Sequence, residues 1–243
     1  MNNSSFFYLF LFKPIFNLLI FLYNILPYKD FGFAVILLTI VIKIIIFPLS
    51  LSSRLYQEKM LLIEPEIKSL QEKIKKEKDP KIQKEIIQKM MEIYKKEKVN
   101  PFFSIIPSIF QVLIFIALFL VFKTDFSPDT LSSNLYSFMA KPNFIYSRFL
   151  NIFDLTKPNI FLAIAAGIFQ YLQIKMTIPP INKNEDFLFA FQKQMIITMP
   201  FFTFLILFKL PSVLGLYWLM LSLVSILEEK FIIKRYIQKY EKK

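Results

Sequence analysis

Residues 31–51 read FGFAVILLTIVIKIIIFPLSL, and Lys43 is the one charged side chain in the run. At about 20 residues it has the length a helix needs to cross a hydrocarbon core about 30 Å thick. A helix of a soluble domain would alternate apolar and polar faces instead. Working outward, the same kind of block recurs at 101–122, 158–178, 195–209 and 212–228, the last two joined by the short Lys209-Leu210-Pro211 turn. The expected fold class is therefore an all-α integral membrane protein with five transmembrane helices. Pro48, Pro107 and Pro200 fall in or near these spans and predict kinks or freed carbonyls.

Between the first two blocks the sequence turns Lys-rich. In 52–100, Ile63, Ile67, Leu70 and Ile74 fall at helical spacing, as do Ile82, Ile86, Met90 and Ile93, with Asp79-Pro80 as a turn between them. This predicts two amphipathic helices folded back as an antiparallel hairpin, the first started or kinked by Pro65.

The chain of 243 residues has 55% hydrophobic residues, 30 Lys and Arg against 18 Asp and Glu, and neither His nor Cys. Without those two residue types there is no disulfide, no imidazole or thiolate metal site and no His-based triad. No catalytic residue, metal or cofactor is expected. The net charge of +12 is concentrated beside apolar blocks, which points to cytoplasmic loops and anionic lipid rather than nucleic acid. That rule puts the hairpin, the 179–194 loop and the basic 229–243 tail in the cytoplasm. The charge-poor 123–157 loop and the N-terminus go outside. Residues 1–30 carry Lys13, Asn17 and Asn24 within roughly 40° of one another on a helical wheel, which favours an interfacial amphipathic helix over a sixth span.

Lys43 lies about 12 Å along its helix from the cytoplasmic end, at 1.5 Å per residue. A Lys near a span centre costs about 2.5 to 3.5 kcal/mol on insertion scales, so it should face a watery or protein-lined cavity, or else snorkel to the headgroups. Gln111, Gln170, Gln173, Thr198 and Ser222 are uncharged hydrogen-bonding groups in four further spans. Each is either interhelical glue or part of a shared polar cavity with Lys43. The apolar run of the last span ends at Leu227, and none of the five apolar runs contains Asp or Glu, which removes the usual carboxylates of proton-coupled transporters and intramembrane proteases.

The succession LLTIVIKIIIFPLSL, EPEIKSLQEKIKK, MMEIYKKEKVNPFFSIIPSIFQVLIFIALF and a late GLYW resembles the YidC insertases, related to the mitochondrial Oxa and chloroplast Albino proteins. The likeness extends from about Phe6 to Lys234. Its most specific piece is Lys98-Val99-Asn100-Pro101 leading into a span with Ile106-Pro107 and Gln111. The resemblance implies a five-helix core around a hydrophilic groove open to cytoplasm and lipid, with the hairpin as capture element. It puts the groove cation on Lys43, a groove glutamine on Gln111, a third-span polar group at Gln170 and an aromatic on Trp218, which is otherwise an ordinary interfacial anchor. The groove cation of that family is usually Arg, and Lys is the more readily deprotonated of the two.

The implied location is the bacterial plasma (inner) membrane. The implied partners are nascent membrane proteins, the lipid bilayer, the Sec translocon and a ribosome touching Lys230, Lys234, Arg235, Lys239, Lys242 and Lys243. No small-molecule substrate is expected. A solute transporter would show paired repeats and buried ion-binding carboxylates; an assembly factor without insertion activity would share every feature above.

Overall fold

The computed structural model describes residues 5–100, 106–124, 126–177 and 186–233. Helices dominate: α1 (Lys13–Ile25), preceded by a π-helical stretch at Tyr8–Phe12, α2 (Phe31–Lys76), α3 (Pro80–Lys96), α4 (Ile106–Phe122), α5 (Pro128–Asn134), α6 (Ile160–Thr177), α7 (Asp186–Leu207) and α8 (Ser212–Glu228). One antiparallel ladder interrupts the all-α expectation, pairing β1 (Arg148–Phe149) with β2 (Phe153–Asp154). Among the described residues, Tyr8–Ile25, Phe31–Lys76 and Ile160–Thr177 are long and apolar enough to cross a membrane, and Ile106–Phe122 and Lys193–Leu207 are shorter apolar helices. Their outward residues are apolar too: Ile45 is 69% exposed, Phe161 72% and Ile197 61%. Surfaces of that kind are stable against lipid and not against water.

The chain forms two compact units, one of residues Met1–Ile45 with Leu113–Lys243 and one of Ile46–Val112. In the second unit, α2 continues unbroken through Pro48 and Pro65, where the sequence suggested a boundary near 51 and a start or kink at Pro65. Each proline removes one backbone bond, and the rest of the ladder in so long a helix carries through it. The helix stops at Lys76, and Asp79 then caps α3 by accepting the Lys81 N–H at 2.8 Å, with Pro80 in the first turn. Ile63, Ile67 and Ile86 are buried and Leu70, Ile74, Met90 and Ile93 half-buried, whereas Ile82 is exposed.

The family-like Lys98-Val99 pair has a structural role at the end of α3. Lys98 adopts a left-handed φ of 53°, its N–H donating to Lys95 O at 3.1 Å while the N–H of Val99 donates to Tyr94 O at 2.9 Å. Those two bonds form a Schellman stop, a position that ordinarily prefers glycine. Lys98→Gly is therefore expected to stabilise this unit by up to about 1 kcal/mol, read as slower amide exchange along α3.

In the first unit the polar stripe of α1 is hydrogen-bonded to a distant loop. Asn17 donates to Asn134 O at 2.9 Å and accepts from the Tyr136 N–H at 2.8 Å, and Asn24 donates to Ala140 O at 2.7 Å. The Tyr23 hydroxyl donates to Phe144 O and accepts from the Tyr146 N–H. Lys13 sits over the Tyr136 ring, 5.3 Å from its centroid. The stripe thus seats the 134–146 loop, while Phe16, Leu19 and Ile20 on the same helix are fully buried. Asn17→Leu keeps the volume but strands a loop carbonyl and a loop amide. We expect a loss of about 2 kcal/mol, measured as a lower melting temperature and faster exchange of the Tyr136 amide.

The β1–β2 hairpin ties two distant helices together. Its turn runs through Leu150 and Asn151, at φ 53° and 58°. Asp30 caps α2 by accepting the Phe33 N–H and accepts the Leu150 N–H through its other oxygen at 2.8 Å. Beyond the hairpin, the Ser212 hydroxyl donates to Asp154 O, the Ser212 N–H to Lys157 O and the Val213 N–H to Leu155 O. The Asp154 carboxylate accepts from both the hydroxyl and the N–H of Thr156, which hold its pKa below the ordinary aspartate value, with Lys157 adding to the effect. One short segment therefore holds the starts of α2 and α8 in fixed relation. α7 begins at Asp186, earlier than the expected 195, so the 179–194 loop is partly helical; its first residues, the end of the third block at 178 and the tail beyond 233 lie outside the described residues.

Candidate functional site: a buried ion pair between apolar helices

Held together at one end, α2 and α8 meet again farther along. Lys43 Nζ lies 2.5 Å from Glu228 Oε2, with side chains 9% and 11% exposed. The cation predicted to face a cavity is thus matched by a carboxylate. This corrects the expectation that no span contains Asp or Glu. The apolar run ends at Leu227, but α8 continues to Glu228 and passes into a π-helical stretch at Glu229–Ile233, burying Glu228 and Glu229. The adjacent pair Glu228-Glu229 was the available signal, and an end drawn at the last apolar residue hid it.

α8 also carries a polar stripe. Trp218, Ser222, Ser225 and Glu229 repeat at spacings of three or four residues and share one face of the helix. Ser225 donates to Leu221 O at 2.8 Å within its own helix. Ser222 is fully buried, and its hydroxyl oxygen has no hydrogen-bond partner among the described residues. Trp218 is half-buried and meets Phe115 edge to face, with centroids 5.2 Å apart. One turn before Lys43 on α2, Thr39 is fully buried and donates to Val35 O at 2.7 Å.

α6 brings the third component. It packs against both α7 and α8. Its approach is close because small residues line it: a Cβ at Gly215 would lie 3.4 Å from Leu162 Cβ, and one at Gly167 would lie 3.3 Å from Pro200 O. Gln170 on this helix has a buried side-chain oxygen, also without a hydrogen-bond partner among the described residues. Unmet polar atoms in an apolar interior cost about 1 to 3 kcal/mol each. They are tolerated where water or a ligand completes them.

The other candidates are placed differently. Thr198 is half-buried on α7, its hydroxyl satisfied by Gln194 O at 2.9 Å in its own helix. Gln111 is half-buried on α4 and belongs to the second unit. Among the described residues, no cluster of His, Cys, Asp and Glu could hold a metal ion.

These features define a class: a multi-pass, all-helical membrane protein whose apolar helices enclose charged and incompletely satisfied polar groups. Residues 21–240 match the family described as 60Kd inner membrane protein, and the chain belongs to that family of bacterial inner-membrane proteins. The membrane protein insertases YidC of Staphylococcus aureus strains JH9 and Newman are each 30% identical to it over 227 residues, covering 89% of this chain and 71% of theirs.

Proposed function

We propose that the chain is a non-enzymatic membrane protein insertase that passes hydrophobic segments of nascent membrane proteins into the bilayer. The observation that carries the reading is the buried Lys43–Glu228 pair, on two otherwise apolar helices that, with α6, also bury the unsatisfied oxygens of Ser222 and Gln170. A polar flank of a passing chain meets hydrogen-bonding groups partway across the membrane. Its desolvation cost falls while the hydrophobic segment partitions into lipid.

In this reading five helices span, with the N-terminus outside and the C-terminus in the cytoplasm. The 52–100 segment is a cytoplasmic hairpin that receives substrate first; the alternating burial of Ile63, Ile67 and Ile86 against exposed neighbours supports a shared apolar seam. Lys43, Gln170, Thr198, Trp218 and Ser222 of the first unit line the groove. The Sec translocon and a ribosome at the basic tail are its partners in the cell.

The test is reconstitution of the purified chain alone in liposomes with a radiolabelled single-spanning substrate bearing a short acidic tail, scored by protease protection. Protection above empty liposomes supports autonomous insertion. Background protection by a folded, correctly oriented protein contradicts it.

A further inference from the structure

Glu228 sits where a substrate carboxylate would be attracted, and the geometry bears on which substrates are admitted. Lys43 is already paired at 2.5 Å, so the resting groove presents a neutral couple and not a bare cation. The two partners differ in their alternatives. Lys43 lies well inside α2 and is buried, between buried Ile42 and exposed, apolar Ile44 and Ile45. Glu228 is the last residue of α8, two residues before exposed Lys230, and so is the partner nearer the charged end of its own helix. An incoming carboxylate that replaces it leaves the buried charge unchanged, because one anion enters as one leaves.

We propose that Glu228 is a specificity-determining residue: it occupies Lys43 at rest and competes with acidic flanks of substrates, so that an acidic flank gains only the difference between two carboxylates. The inference rests on the insertase reading and adds to it a built-in competitor on this chain. Neutral flanks do not need to displace Glu228 and are unaffected. A purely structural pair would instead support all substrates equally.

The experiment uses the full-length protein in nanodiscs and a fluorescent single-helix peptide with either a Glu or a Gln flank, with binding followed by anisotropy. Glu228→Gln is expected to raise the ratio of Glu-flanked to Gln-flanked peptide affinity about tenfold, while Glu228→Asp keeps the wild-type ratio. The same comparison in a Lys43→Arg background keeps the cation charged, since guanidinium does not give up its proton. If Glu228→Gln leaves the ratio between the two peptides unchanged in both backgrounds, the proposal is overturned. Liposome insertion run in parallel judges the insertase reading separately: a shifted ratio without insertion keeps the competitor and removes the activity, and insertion with an unshifted ratio does the reverse.

Discussion

Lys43→Met alone is expected to lower the melting temperature of the protein by roughly ten degrees, because it leaves Glu228 buried without its cation. Removing one partner of a buried pair costs about 3 to 5 kcal/mol, and for a chain of this size each kcal/mol moves the transition by about 2 to 4 °C. Substituting both partners, Lys43→Met with Glu228→Met, should restore most of the loss, since two apolar side chains of similar volume need no compensation. The comparison separates two contributions. If the single and double variants melt together well below the wild type, packing and not charge holds this site. If neither moves, the pair lies closer to water than its side-chain exposures of 9% and 11% indicate. Thermal denaturation in one detergent, with all three proteins side by side, reads the outcome.

The second large effect concerns the far end of the same two helices. In an ordinary helix Gly→Ala is favourable by about 1 kcal/mol. At Gly32 the sign reverses: a Cβ there would come within 2.5 Å of Phe149 Cβ and Cγ, atoms near the backbone of β1 that cannot simply rotate away. Either α2 or the hairpin must shift, at a cost of about 1 to 3 kcal/mol for overpacking, and the shift is carried along α2 toward Lys43. Gly32→Ala should therefore lower the melting temperature, and Gly32→Leu should lower it further. Gly215→Ala is the control, because its Cβ would meet Leu162 at the ordinary distance of 3.4 Å. A Gly32→Ala protein that melts at or above the wild type would show that the hairpin does not fix the start of α2.

Whatever depended on local pattern was legible in the sequence. The apolar run from 31, the Asp79-Pro80 break and the depth of Lys43 follow from composition and spacing, and the structure has helices or a cap at each. Features that depended on a partner elsewhere in the chain were not legible. The loop partners of Asn17 and Asn24 on α1, more than 110 residues away in sequence, are one such feature. Glu228 looks like a flank until Lys43 is found beside it, since helix periodicity places a residue on a face without naming what the face meets. Nor does spacing reveal that residues 148–157 link the starts of α2 and α8. Of the candidate residues, Lys43, Ser222, Gln170 and Trp218 lie on the three helices that the first unit contributes to the polar interior, whereas Thr198 satisfies its hydroxyl within α7.

The most direct measurement of the central claim, that hydrophobic segments are inserted by way of the Lys43 site, is the insertion yield of the Lys43→Met, Glu228→Met double variant in liposomes. The substrate carries an acidic flank, and the variant is first shown to fold and orient as the wild type does. The account predicts yield near that of empty liposomes, because the fold is kept while the charged interior is gone. Yield equal to the wild type would contradict it and assign the buried pair to helix packing alone.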